Sequence, residues 1–268
     1  MTINSLYSMH VQKGIIIVDC CRSFITSDAQ VKKKIGRGRR NKSQSQFELG
    51  AKDLEVEWET GYETINSQIS NAVYPNMVVH YGISGRFEVN TEMSIVTAID
   101  KSVSPQQNTT GIEPVLVGAN YQLIDDTGYI PSVIIATQLG IPFLATKNFY
   151  ADHLAPVVQV NIQESIHDKF ILGLNNGIMW DGFSPTPQFI YDASTSYTLT
   201  KKWMLTTECF GFIGDEPPQN NLDGSIAYVI NDYVQFGFTG GLGISSAAHK
   251  SYFAVNGTWG LNTARKKH

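Results

Sequence analysis

The chain has 268 residues, of which 42% are hydrophobic and 16% are charged, and its formal net charge at pH 7 is −4. This length fits one large all-β domain or two smaller domains, and the net charge argues against a nucleic-acid partner. No segment approaches the ~20 consecutive apolar residues that a spanning helix needs, so a helical membrane protein is excluded.

Residues 1–50 differ in character from the rest of the chain. The apolar run at residues 14–18 is interrupted by Asp19 and Arg22. It is therefore shorter than the apolar region of an ordinary secretory signal, which has ~7–15 residues. A basic run with glycine and serine follows between Lys32 and Lys42. We expect residues 1–50 to form a disordered, solvated basic tail or a leader. A patch for lipid headgroups or nucleic acid, and a start that does not represent the mature protein, stay open.

Twelve later segments alternate apolar residues with small or polar ones. In the eleventh, Val234, Phe236 and Phe238 alternate with Gln235 and Gly237. A period of two is typical of a β-strand with one apolar and one polar face. The predicted strands cover residues 54–66, 71–82, 86–97, 111–124, 129–141, 154–165, 169–180, 187–199, 202–213, 221–230, 233–244 and 251–262.

The connections between these strands are alternately short and long. Turn-like pieces such as residues 83–85 and 200–201 alternate with longer ones such as 98–110 and 142–153. Tight turns on one rim, longer loops on the other, and aromatic residues at both ends of the strands are typical of outer-membrane barrels. We therefore predict that residues 51–268 form an all-β, antiparallel up-and-down transmembrane β-barrel of about 12 strands. A soluble barrel or sandwich with an inward apolar face is the alternative.

The polar face of the first three predicted strands carries several carboxylates and two basic groups. Its members are Glu55, Glu57, Glu59, Glu63, His80, Arg86, Glu88, Asn90 and Glu92. Carboxylates would be prohibitively costly against lipid, so we expect this face to line a lumen. An acidic lining, partly neutralised by Arg86 and His80, favours cations or neutral polar solutes over anions. The alternative is that these groups mainly pair with one another and hydrate the interior.

Four stretches of the sequence carry a resemblance to a known family. They are EWETGYE (57–63), HYGISGRFEV (80–89), GIEPVLVGANYQLIDDTGYIPSVIIATQLGIP (111–142) and DGSIAYVINDYVQFGFTGGLGIS (223–245). In their order and coverage they resemble the phenol-degradation (MetA-pathway) family of outer-membrane transporters, across roughly residues 54–262. The resemblance implies an outer-membrane β-barrel transporter whose substrate is inferred from neighbouring degradation pathways.

The resemblance also implies positions in the lumen. The chain departs from the family at His80, where arginine is usual, and at Asn120, where lysine is frequent. It ends in Ala-Arg-Lys-Lys-His rather than in an aromatic residue, which leaves recognition by the barrel-assembly machinery to Trp259 or to a trimmed tail. The acidic positions of the family correspond to Glu59, Glu88, Glu208 and Asp223.

No catalytic residue, metal-ligand set or cofactor is predicted. Cys20, Cys21 and Cys209 have neither a disulfide pattern nor a metal spacing. We predict an outer-membrane channel for passive or facilitated passage of small molecules, hydrophobic or aromatic ones included, through a narrow lumen. Its expected partners are the lipid bilayer, a small-molecule solute and the barrel-assembly machinery, and not nucleic acid.

Two other functions stay open. A structural or adhesion barrel with a plugged lumen would show no conductance. An outer-membrane lipid hydrolase would need Ser251 hydrogen-bonded to His249 and a third group that orients the histidine. Two solvated polar residues in a short loop are the more ordinary interpretation of this pair.

Overall fold

The computed structural model describes residues 49–127, 130–166, 169–231 and 233–262, so the tail or leader predicted for residues 1–50 lies almost wholly outside the described residues. Within these ranges, no helix is long and apolar enough to cross a membrane. Two single-turn 3-10 helices, Pro142–Leu144 and Lys147–Phe149, lie between β6 and β7. The strands are β1 (Asp53–Thr64), β2 (Ile69–Ser84), β3 (Phe87–Asp100), β4 (Gln107–Ile112), β5 (Val115–Ile124), β6 (Ser132–Ile141), β7 (Ala155–Ile166), β8 (Phe170–Met179), β9 (Gln188–Thr198), β10 (Trp203–Ile213), β11 (Gln219–Asn231), β12 (Val234–Gly243) and β13 (Ser251–Asn262).

The strands close into one antiparallel barrel. β1 pairs with β2 on one side and with β13 on the other, where Asp53 lies opposite Asn262 and Thr64 lies opposite Ser251. The other pairings follow chain order, with β4 and β5 sharing one place in the wall. Short connections join successive strands as antiparallel neighbours, and the predicted twelve-stranded up-and-down barrel is confirmed.

Two short strands, β4 and β5, together occupy the fourth strand position of the barrel. β4 pairs with the end of β3, and β5 pairs with its beginning. Glu113 and Pro114 separate the two, because proline has no N–H to donate to the ladder. The prediction of one strand over residues 111–124 is therefore wrong. The predicted loop at 98–110 shrinks to residues 101–106, because β3 and β4 extend into it.

Each strand turns its polar face toward the interior. In β1, Glu55 is 1% exposed and the other odd-numbered glutamates are also buried. On the outer surface, Phe253 is 52% exposed, and Leu174 of β8 is exposed beside the buried Asn175. A buried acidic face combined with an exposed apolar face is the reverse of a soluble barrel. The alternative of a soluble barrel or sandwich is thereby excluded.

The two rims of the barrel differ in their connections. Tight turns, such as residues 85–86 and 199–202, lie on what we call the short-turn rim. The long-loop rim carries residues 101–106, 142–154, 180–187, 214–218 and 244–250. Outward aromatic pairs lie near both rims: the ring centroids of Phe170 and Tyr197 are 4.7 Å apart, and those of Tyr62 and Phe253 are 6.1 Å apart. This arrangement matches the predicted alternation of turns and loops and the aromatic residues at both ends.

Candidate functional site

The interior surface formed by β1, β2 and β3 is acidic, and we call it the acidic wall. Alternation along each strand puts every second side chain inside the barrel, where the neighbouring strands cover it. The wall thus gathers the carboxylates that the sequence predicted for these strands, all of them buried. They are Glu55, Glu57, Glu59, Glu63, Glu88 and Glu92.

Four of the predicted residues meet in one network on this wall. His80 Nδ1 lies 3.1 Å from Glu88 Oε1, and His80 Nε2 lies 3.8 Å from Glu57 Oε1. Asn120 of β5 donates from Nδ2 to the same Glu88 Oε1 at 2.7 Å, because the register places Asn120 directly opposite Glu88. The histidine and the amide therefore hold the Glu88 carboxyl group in a fixed position.

Arg86 does not lie on the acidic wall, and its predicted place in the lining is wrong. It occupies the two-residue turn between β2 and β3, its side chain is 54% exposed, and its Nη2 contacts Asp125 Oδ2 at the same rim. The turn lifts this side chain clear of the interior, although its parity in the sequence matches that of the lining.

The lining therefore contains no lysine or arginine among the residues that the structure describes. Each such residue in those ranges is exposed: Lys52, Arg86, Lys101, Lys147, Lys169, Lys201, Lys202 and Lys250. The buried basic groups are two histidines, His80 and His249. Among the residues that the structure describes, the buried carboxylates therefore outnumber the buried basic groups.

A second group of carboxylates lies across the ring of strands, on β9, β10 and β11. Glu208 lies directly opposite Asp223 in the register. Asp192 is close enough to Glu208 for a hydrogen bond between their carboxyl groups, and Asn175 donates from Nδ2 to Asp192 Oδ1 at 2.6 Å. All three carboxyl groups are buried. We call Asp192, Glu208 and Asp223 the acidic cluster.

The structure brings the predicted Glu208 and Asp223 together and adds Asp192, which the sequence reasoning missed. The sequence could have indicated Asp192, because it lies at one of the alternate positions of the predicted strand 187–199 that face the interior.

Between the acidic cluster and the acidic wall, the arc of the barrel from β5 to β8 is lined by neutral amide side chains. They are Gln122, Gln138, Gln159, Asn161, Gln163 and Asn175.

Apolar side chains line the interior next to the long-loop rim. Phe210 and Tyr252 have ring centroids 6.4 Å apart, and the Tyr252 hydroxyl donates to Asp223 Oδ2. Tyr252 can reach across β12 because Gly241 has no side chain, whereas a Cβ there would lie 2.3 Å from Tyr252 Cζ. This apolar belt therefore adjoins the acidic cluster. Its members are Leu116, Val157, Met179, Ile190, Phe210, Phe212 and Tyr252.

The connection at residues 142–154, which we call the mouth loop, packs against the wall near the long-loop rim. Phe149 is 2% exposed, and a Cβ on Gly111 would lie 2.6 Å from its ring. Thr146 N donates to Ile112 O at 2.9 Å, and Ile112 N donates to Thr146 Oγ1 at 2.9 Å. The mouth loop is thereby anchored where β4 ends. The ring of Phe149 packs against Val73, Val96 and Ala98.

His249 and Ser251 do not have the geometry of a hydrolase site. His249 is buried, and its Nδ1 lies 2.7 Å from Glu63 Oε1. Ser251 faces outward on β13, because side chains alternate along a strand and its neighbour Tyr252 points into the barrel. A catalytic serine would need a hydrogen bond to the histidine. The pairing of His249 with Glu63 instead extends the acidic wall toward the long-loop rim.

Within the described part of the chain, no group of three or more His, Cys, Asp or Glu side chains is arranged to hold a metal ion. Cys209 is a free thiol in β10 on the outward parity. The other two cysteines considered in the sequence, Cys20 and Cys21, lie outside the described residues.

Comparisons with known proteins agree with this architecture. Residues 30–260 match the family described as "Putative MetA-pathway of phenol degradation". An outer-membrane channel from Pseudomonas putida F1 superposes with a TM-score of 0.64 at 10% identity, covering 82% of this chain and 100% of the channel. The NanC porin gives 0.56 at 10% identity over 77% and 100%, and the KdgM porin gives 0.55 at 10% identity over 76% and 98%. No curated protein matches the chain. At these identities the structural likeness concerns the fold.

Proposed function

The chain belongs to the family described as "Putative MetA-pathway of phenol degradation", and from this membership and its interior we propose that it is an outer-membrane channel for small molecules. Passage is passive or facilitated, and hydrophobic or aromatic solutes are among those carried. The channel resides in the outer membrane of a Gram-negative cell. Its surroundings are the lipid bilayer, and the barrel-assembly machinery inserts it.

The orientation of the two strand faces is the observation that supports this proposal most strongly. Apolar side chains cover the outside, where lipid would contact them, and polar side chains fill the inside. Eight strands fill completely with side chains and sixteen leave an open channel, so twelve strands enclose a narrow passage. Such a passage suits small molecules and ions and excludes folded proteins.

The lining indicates which solutes enter. The buried carboxylates of the described lining favour cations and neutral polar molecules over anions. The apolar belt lets an aromatic or hydrocarbon group leave water before it meets the polar lining. The amides between β5 and β8 offer hydrogen bonds to hydroxyl groups without adding charge.

Single-channel recording of the refolded full chain in a planar bilayer tests this function. We expect discrete conductance steps and, under a KCl gradient, a reversal potential that shows cation preference. Glu59→Gln should shift that potential toward the non-selective value, because it removes a lining charge. Asp215→Asn, which removes a charge from an exposed loop, is the control and should change it less. Anion preference in the unmodified chain would contradict the proposed lining.

A structural barrel with a closed interior is the second candidate, and two observations favour it. Interior side chains cover one another closely, Glu88 being 0% exposed. The mouth loop also packs against the wall near the long-loop rim. This candidate predicts no conductance from the unmodified chain under conditions in which its folded barrel is demonstrably inserted.

A further inference from the structure

We propose that five amide side chains on β5 to β8 form a binding site for a neutral polyol, a small uncharged solute with several hydroxyl groups. The proposal deepens the proposed channel function and rests on it, since the solute reaches these side chains through the lumen. We call the group the carbonyl patch. Its members are Asn120, Gln138, Gln159, Asn161 and Asn175.

Unused hydrogen-bond acceptors are the first argument for this site. The side-chain carbonyl oxygen of each member of the carbonyl patch is buried and accepts no hydrogen bond from the described residues. Alternation along the strands turns all five side chains toward the interior. A buried carbonyl oxygen without a partner is unfavourable. A solute that supplies hydrogen-bond donors therefore stabilises this surface.

The amide nitrogens at the two ends of the carbonyl patch are already engaged. Asn120 Nδ2 donates to Glu88 Oε1 at 2.7 Å, and Asn175 Nδ2 donates to Asp192 Oδ1 at 2.6 Å. Because the nitrogen of each amide bonds to a carboxyl group, the carbonyl oxygen is the end that stays open. These two amides therefore offer a solute an acceptor rather than a donor.

Two glycines let other members of the carbonyl patch lie against the wall. A Cβ on Gly177 would lie 2.5 Å from Gln159 Cγ, and a Cβ on Gly118 would lie 2.7 Å from Gln138 Cγ. Gln138 Nε2 also donates to Asn90 Oδ1 at 3.4 Å. The absence of two Cβ atoms thus makes room for the stems of the two glutamines and sets where their carbonyl groups lie.

The register brings the carbonyl oxygens within reach of one solute. Asn161 lies directly opposite Asn175, and Ala136 lies opposite both Asn120 and Gln159. Neighbouring strands are ~4.8 Å apart, so the four strands carry the patch across ~14 Å of the wall. A solute with several hydroxyl groups can contact more than one of these oxygens at once.

The chemistry of the carbonyl patch favours hydroxyl groups over other neutral polar groups. An amide carbonyl oxygen accepts hydrogen bonds and cannot donate them, whereas a hydroxyl group can donate. An ether oxygen only accepts and has nothing to offer the patch. No member of the patch carries a charge, so a neutral solute meets no buried ion among them. The site should therefore distinguish a polyol from a polyether of similar size.

Saturation-transfer NMR of the refolded full chain tests the site, in lauryldimethylamine oxide because this detergent has no hydroxyl group. One probe is myo-inositol, which has a hydroxyl on every ring carbon. The other is triethylene glycol dimethyl ether, which has nearly the same mass but only ether oxygens. We expect myo-inositol to bind at least about tenfold more tightly, because it alone can donate to the carbonyl oxygens.

Substitutions locate the binding on the wall. Gln159→Met keeps the length of the side chain, removes its carbonyl oxygen and should weaken myo-inositol binding about threefold. Adding Asn161→Leu should bring the loss to about tenfold. Gln235→Met on β12 is the matched control. Gln235 is buried and its Oε1 has no described partner, but Val229 and Thr258, rather than amides, lie opposite it, so the dissociation constant should stay unchanged.

Three results would overturn the site. They are equal binding of the two probes, equal weakening by Gln159→Met and Gln235→Met, and no binding of myo-inositol to the folded chain. The comparison of the probes uses the unmodified chain, so it decides the matter even if a variant does not fold. A barrel that conducts ions but does not bind myo-inositol refutes only the site. A silent barrel that binds it refutes only the channel.

Discussion

Removal of the Phe149 side chain should release the mouth loop and enlarge the conductance of the channel. Phe149 is 2% exposed and is held against β2, β3 and Gly111. Truncating a buried phenylalanine to alanine costs ~3–5 kcal/mol where the surroundings cannot collapse. The two hydrogen bonds between Thr146 and Ile112 are worth only ~0.5–1.5 kcal/mol each. We therefore expect the mouth loop of Phe149→Ala to spend much of its time away from the wall.

Two measurements follow this release. Single-channel conductance should rise in Phe149→Ala, and trypsin should cut faster after Lys147, which lies in the same loop. Phe143→Ala is the matched control, because Phe143 belongs to the mouth loop but is 65% exposed. It should leave both quantities unchanged. Faster cleavage with unchanged conductance would refute the idea that this loop narrows the passage, and no change in either would refute Phe149 as its anchor.

Two further substitutions test the packing and the orientation of the wall. Gly241→Ala would place a Cβ 2.3 Å from Tyr252 Cζ and should lower the free energy of unfolding by ~1–3 kcal/mol. Gly240→Ala, whose nearest contact would be 3.9 Å, should leave the urea midpoint unchanged. Leu174→Arg puts a charge on the outer face midway along β8 and should cost ~2–4 kcal/mol in lipid vesicles. Full stability of that variant would show that this face does not contact lipid.

The strands could be predicted from the sequence because one physical constraint repeats along the whole wall. Each strand separates an apolar outside from a polar inside, so its side chains alternate with a period of two. The last strand, predicted at residues 251–262, is observed as Ser251–Asn262. The break at Pro114 was open to prediction as well, since a proline interrupts the ladder of an interior strand.

The candidate site was only partly predictable from the sequence. Alternation along a strand predicts which side chains face the interior, but it does not predict which residues those side chains contact. The inward positions of Glu57, His80 and Glu88 follow from alternation along three consecutive strands, β1 to β3, whose connecting turns fix the register. The predicted position of Arg86 in the lining is wrong because Arg86 lies in a turn, and the turn sets the direction of its side chain. The contact of Phe149 with Gly111 joins a loop to a strand far from it in sequence, and nothing in local periodicity specifies such a contact.

The seam between β1 and β13 makes completion of the barrel depend on its first and last strands. Asp53 finds its partner Asn262 only after all the intervening strands are in place. Until then both edges of the growing sheet expose N–H and C=O groups, which cost several kcal/mol each in hydrocarbon and recruit other chains in water. Insertion and closure are therefore coupled steps. Damage at this seam would appear first as slow maturation and aggregation, even where the finished barrel is unaltered.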